Sequence, residues 1–155
     1  MTSINDIIER FYHYIENDTD FFNYFELDEI KCLEVAQKRS SVLLVEAASY
    51  LCNKVGIGSA FYLNTDFSGF DEDLTSVEVD LLVKAMFLCY LRRDLTTLRT
   101  FQGVMTSSDL NMYSPANERK TFNEMVKTFE DELKIEISEY CMVDRKTGSF
   151  RQICS

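Results

Sequence analysis

The chain has no Trp, a single Pro, a single His and only five Gly among its 155 residues. Each scarcity excludes something. Sandwiches and barrels turn at short intervals, and tight turns are built largely from Gly and Pro. With so few of either, long helices and few corners are the natural arrangement. One His and no CxxC pair exclude the usual zinc ligand sets. The lone His13 stands between Tyr12 and Tyr14 on a helical pattern, where it reads as an ordinary surface or interfacial side chain. No GxGxxG, P-loop or GxSxG motif occurs. Asp71-Glu-Asp73 opens like a calcium loop but lacks the spaced ligands and the glycine at the sixth position. It reads as a solvated acidic run before a helix. The sequence therefore predicts no metal, no cofactor and no catalysis.

Positive charge is also scarce: 16 Lys and Arg face 26 Asp and Glu, a formal net of −10. Binding to nucleic-acid phosphates gains affinity from Lys and Arg, and Arg92-Arg93 and Arg119-Lys120 are isolated pairs. The acidity serves solubility, or makes a surface that repels DNA or meets a basic partner. Cys32, Cys52, Cys89, Cys141 and Cys154 are odd in number, and the first three lie in apolar helical patterns. Reduced, buried thiols in a reducing compartment fit that pattern. The N-terminus shows no basic segment followed by an apolar run, so no signal peptide is expected. The most apolar stretch, residues 77–91, contains Glu78, Asp80 and Lys84 and is too short and too charged to span a bilayer.

What is present is helical periodicity. Ser3 is placed to cap a first helix carrying Ile4, Ile7, Ile8, Phe11, Tyr14 and Ile15. Phe21-Phe-Asn-Tyr-Phe25 reads as an aromatic segment, extended or looped. From Asp28, a second stripe of Ile30, Leu33, Val35, Ala36, Val42, Leu43, Leu44, Ala47, Ala48, Leu51 and Cys52 runs to about Lys54. Ser40-Ser41 marks a kink or restart, and Gly56 suits a left-handed stop. Residues 57–73 form a long loop rich in aromatics: Phe61, Tyr62, Phe67 and Phe70. A loop that apolar should pack on its own domain or on a neighbour. Thr75-Ser-Val-Glu78 has capping-box spacing, and the helix after it, to about Arg93, is apolar on nearly every side, hence central. Asp94 is placed to cap a short helix to Phe101, closed by Gly103. Residues 104–113 read as irregular. Ser114-Pro115 opens a last helix striped by Phe122, Met125, Phe129, Leu133, Ile137 and Tyr140.

These patterns predict a mainly α protein. The domain is a bundle of about four to five helices over residues 1–143, with a C-terminal arm over 144–155. In the arm, Lys146-Thr-Gly148 suits a hairpin turn. Arg145, Lys146 and Arg151 outnumber Asp144, and Phe150 and Ile153 are apolar anchors. Such an arm on an acidic body is expected to dock. With the loop aromatics it supplies the candidate interface.

Several motifs resemble those of the small neck proteins of tailed bacteriophages. There an acidic "F-x-x-DLT-x-x-E" helix start leads into an apolar helix, an "F-x-G" and "SDL" region, and a "SPANE" helix opening. The corresponding pieces are Phe70-Asp-Glu-Asp-Leu-Thr75, Phe101-Gln-Gly103, Ser108-Asp-Leu110 and Ser114-Pro-Ala-Asn-Glu118. They span roughly half the chain. The resemblance implies a head-to-tail connector of the adaptor class. Such a protein is a virion component assembled in the host cytoplasm, forming a ring of about twelve copies. The ring sits beneath the portal protein, docks a downstream tail protein and lets DNA pass without sequence-specific contact. It implies no catalytic residues and no membrane contact. An alternative of another class stays open: a small acidic intracellular regulator or inhibitor that binds a basic partner, as DNA mimics do.

Overall fold

The computed structural model describes residues 2–22, 27–66, 68–104 and 115–150, with the backbone alone at 19–20, 94–104 and 115–119. The helices are α1 (Ile4–Tyr14), the single turn α2 (Thr19–Phe22), α3 (Glu29–Val55), α4 (Ser76–Val104) and α5 (Pro115–Met142). Together they hold more than half the chain. The protein is thus a mainly α-helical bundle of four long helices. Two isolated bridges, Leu63 with Phe70 and Val143 with Phe150, are the only extended pairings among the described residues.

α4 is central, as its all-round apolarity requires: it packs against α3, α5 and α1. Its Leu81, Leu82, Val83, Ala85, Met86 and Leu88 are buried. α3, which packs along it, buries the small side chains Ala36, Ser40, Ala47 and Ala48 beside Leu43, Leu44 and Leu51. Ser40 and Ser41 do not break α3. Their hydroxyls donate to the Ala36 and Gln37 carbonyls one turn back (2.9 Å each), which satisfies the buried Ser40 inside a continuous helix. Gly56 ends α3 at φ +82°, ψ −150°, a region reserved for glycine rather than the ordinary left-handed well.

Four other expectations are corrected. Ser3 occupies the cap position of α1, but its side chain makes no capping bond. Phe21 lies in α2, whose start is capped by Asp18: Oδ1 accepts the Phe21 N–H at 3.2 Å. No short helix begins at Asp94, because α4 continues unbroken to Val104 and takes in Gly103; the regular pattern of backbone bonds outlasts the change of side-chain chemistry. On α5, Val126 rather than Met125 faces the core with Leu133 and Ile137. Of the stretch 104–113, read as irregular, Val104 is the last residue of α4; the rest, and the cap Ser114, lie outside the described residues.

An aromatic cluster joins the first half of the chain to α4. Phe11, Phe21 and Tyr90 meet edge to face with ring centroids 5.9–6.2 Å apart. The Arg39 guanidinium lies 4.4 Å from the centre of the Phe21 ring, and the Tyr90 hydroxyl donates to Asp18. On α4, burial pushes the Cys89 thiol up to about 11, and Glu46 adds to the shift. At pH 8 only about 0.1% of such a thiol is thiolate. We expect Cys89 to resist iodoacetamide in the native protein and to react promptly in urea, read peptide by peptide in a mass spectrometer.

Candidate functional site

The polar centre of the molecule grows from the start of α4. The capping box forms as its spacing requires: the Thr75 N–H donates to Glu78 Oε2 at 2.7 Å, and the Glu78 N–H donates to Thr75 Oγ1 at 3.3 Å. The box draws Glu78 inward, and it is 0% exposed. A buried carboxylate needs several donors, and two more come from distant sequence. The Tyr140 hydroxyl and the Arg145 Nε both donate to Glu78 Oε1 at 2.5 Å. The remaining Arg145 nitrogens bind the Glu72 carboxylate and the Asp73 carbonyl. Thr2 ties the N-terminus to the same place, its N–H on Asp73 Oδ1 at 2.8 Å and its hydroxyl accepting from the Leu74 N–H at 2.9 Å.

Burial alone would raise the Glu78 carboxyl, but Arg145, then Tyr140 and Thr75, outweigh it and hold Glu78 below its ordinary value. Burial and then the bond to Glu78 push the Tyr140 phenol well up. At neutral pH one is therefore ionised and the other protonated, and neither is poised to exchange a proton. The trio is a clasp between α4, α5 and the C-terminal hairpin.

The hairpin is built from its own sequence. Asp144 Oδ1 accepts the Lys146 and Thr147 N–H groups at 3.0 and 2.8 Å. Gly148, at φ +67°, lets its N–H reach the Asp144 carbonyl at 2.8 Å. The Asp144 N–H then donates to the Ser149 carbonyl at 2.7 Å and closes the turn.

Beside the clasp lies a groove of about 530 Å³ between the first turns of α4, the last turns of α5 and the hairpin. Val77, Leu81, Tyr140 and Val143 give it apolar walls. Asp80, Glu136, Glu139 and Asp144 also line it, against Lys84 and Arg145. Lys84 is bound to Glu136 at 2.6 Å, Arg145 to Glu78 and Asp80 to Arg10 at 3.4 Å, and Asp144 serves the hairpin turn, so the exposed Glu139 gives the rim its negative charge.

The predicted interface residues are distributed as follows. Phe61 and Phe70 are buried in the chain's own core, and Phe61 packs its ring 6.0 Å from that of Tyr140. Tyr62 is exposed. Arg145 points inward, because the buried Glu78 offers it a stronger partner than solvent does. Lys146 is exposed, and Phe150 stands 80% exposed at the hairpin. Phe67, Arg151 and Ile153 lie outside the described residues.

A surface that periodicity concealed lies at the other end of α3. Leu33 shares a helical face with the buried Leu51, about five turns along, yet it is 56% exposed, and Ile30 is 72% exposed. The apolar stripe of α3 continues beyond the elements that cover it, and Leu27 adds to the patch. α4 runs back along α3, as Arg93 on Glu46 at 2.5 Å records. α5 runs back along α4, with Glu136 on Lys84 and Phe129 against Phe87 at 5.4 Å. The hairpin and the Leu27–Ile30–Leu33 patch therefore occupy opposite ends of the bundle, about 40 Å apart along α3.

Among the described residues no helix is long and apolar enough to cross a membrane, and no group of three or more His, Cys, Asp or Glu is placed to hold a metal ion. Comparison with protein-family models, curated proteins and solved structures found no match for this chain.

Proposed function

We propose that this chain is a non-enzymatic, ring-forming head-to-tail connector of a tailed-phage virion. Its copies assemble in the host cytoplasm, sit beneath the portal protein and offer a docking surface to a downstream tail protein. The observation that carries this reading is the pair of exposed apolar surfaces at opposite ends of the bundle: Leu27, Ile30 and Leu33 at one, Val77, Met142 and Phe150 at the other. A ring subunit, or a protein that joins two different partners, needs two unlike surfaces, since heterologous contacts close by rotation. Large apolar side chains gathered at one exposed place mark contact sites.

Two further features support it. The stretch Phe70-Asp-Glu-Asp-Leu-Thr75, which carries part of the resemblance, has a physical job here: Phe70 enters the core, Glu72 and Asp73 hold Arg145, and Thr75 caps α4. The net charge of −10 suits a channel through which DNA slides, because repulsion keeps the duplex from sticking. No membrane contact and no cofactor enter the reading.

The test is native mass spectrometry of the purified chain, alone and with a portal protein from the same genome. A closed ring of many copies, or a ring formed on the portal, is expected. A chain that stays monomeric or dimeric and ignores the portal, but binds a basic protein, would replace this reading with the acidic-inhibitor one.

A further inference from the structure

We infer that the groove beside the clasp receives the C-terminal residues 151–155 of a second copy of this chain. The inference rests on the ring reading and adds to it the place where neighbours lock.

The groove and the segment are complementary in chemistry. The groove offers apolar walls in Val77 and Val143 and, on its rim, the exposed carboxylate of Glu139; Asp80 beside it is paired with Arg10 at 3.4 Å. Glu139 is exposed and lies on the last turns of α5, where its carboxylate faces an incoming cation without competition from Lys84, which Glu136 holds. The segment reads Arg-Gln-Ile-Cys-Ser, one cation followed two residues later by one branched apolar side chain. In an extended strand, residues two apart point to the same side. Arg151 and Ile153 therefore present a charge and an apolar anchor together, matching a rim and a wall.

Five residues follow Phe150, and extended they reach about 16 Å. The described residues end at Phe150, whose side chain is 80% exposed at the hairpin. Arg145, the arm's innermost cation, is already committed to Glu78, which leaves Arg151 for an external carboxylate. Each subunit then has one segment to give and one groove to fill. That is a heterologous contact, which satisfies every copy only when the ring closes.

The experiment uses a fluorescent peptide of residues 149–155 and the chain truncated after Phe150. Saturable one-to-one binding is expected, weakened about tenfold by Glu139→Lys or by Val77→Asp and weakened by salt. Both positions are exposed, and a thermal melt verifies that each variant stays folded. Glu124→Lys, several turns away on α5, should leave binding unchanged. No saturation by about 1 mM, or binding indifferent to both groove variants, overturns the inference.

A second measurement decides whose segment it is. A full-length Glu139→Cys chain, oxidised gently with oxidised glutathione, is expected to form a disulfide between the introduced thiol and Cys154 of another copy. Linked copies then appear on a non-reducing gel and vanish when Cys154→Ser is added. A link confined to single chains assigns the groove to the chain's own terminus and overturns the second-copy assignment. A ladder that survives Cys154→Ser overturns it too. The connector reading fails separately: a peptide that binds as expected, on a chain that never assembles with a portal, leaves the groove and removes the connector.

Discussion

Replacing Arg145 with alanine will lower the stability of the fold by about 3 kcal/mol, because it strands a buried carboxylate. Glu78 is 0% exposed, and its Oε1 takes bonds from both Arg145 and Tyr140. Without the guanidinium, Oε1 keeps only a neutral phenol, and Glu72 and the Asp73 carbonyl lose their donor. For a chain of this size the melting temperature should fall by about 6–12 °C. The same substitution in a Glu78→Gln background should cost only about 1 kcal/mol, since no charge is then left uncompensated. Denaturant titration of the four proteins gives the coupling directly; equal costs in both backgrounds would show that Arg145 contributes only packing.

The clasp also sets an acid limit. The Glu78 carboxyl is held below its ordinary value in the folded chain. A depressed carboxyl stabilises the fold fully above its unfolded pKa, and that contribution fades as the pH falls through the folded one. The wild-type chain should therefore lose stability into the acid range more steeply than Glu78→Gln, which lacks this component. Parallel acid titrations of the two would refute the assignment.

Phe61→Ala will be the second large effect, at about 4 kcal/mol. Phe61 is fully buried, and its ring lies against Tyr140, so removing it opens a cavity beneath the clasp. Tyr62→Ala, one residue on, should change stability by no more than about 1 kcal/mol, because that side chain is exposed. Urea midpoints of the two variants suffice. Similar losses would mean that the loop packs by its aromatic content as a whole rather than through Phe61.

That contrast marks where sequence reasoning stopped. An aromatic loop over 57–73 was legible as one that must pack. Which ring turns inward was not, because a loop has no fixed period to assign faces. Helices do have one, so the stripes of α1, α4 and α5 were legible almost residue by residue. The exceptions have local causes. Met125 yielded to Val126 because Val126 stands two turns before Leu133, at the middle of the buried face, whereas Met125 lies about 80° to one side of it.

The candidate site was legible only in its local half. The Thr75–Glu78 box is a matter of spacing, and the 144–149 turn follows from Asp144 and Gly148. Tyr140 and Arg145 stand 62 and 67 residues from Glu78, and no periodicity connects them. Arg145 read as a cation for a partner because the tail is basic; the fold gives it to Glu78 because a charge in the interior binds its counter-ion more strongly than one in water.

The sequence by itself determined the helical class, the central position of α4, the cap that starts it and the hairpin that follows α5. All of these arise from contacts a few residues apart, or from the proportion of apolar surface a helix must hide. Only the tertiary structure decided that the α3 stripe outruns its cover at Ile30 and Leu33, that the apolar ends lie at opposite poles, and that Arg145 faces inward. Those outcomes depend on where helices of unequal length begin and end against one another, and a linear pattern does not carry that.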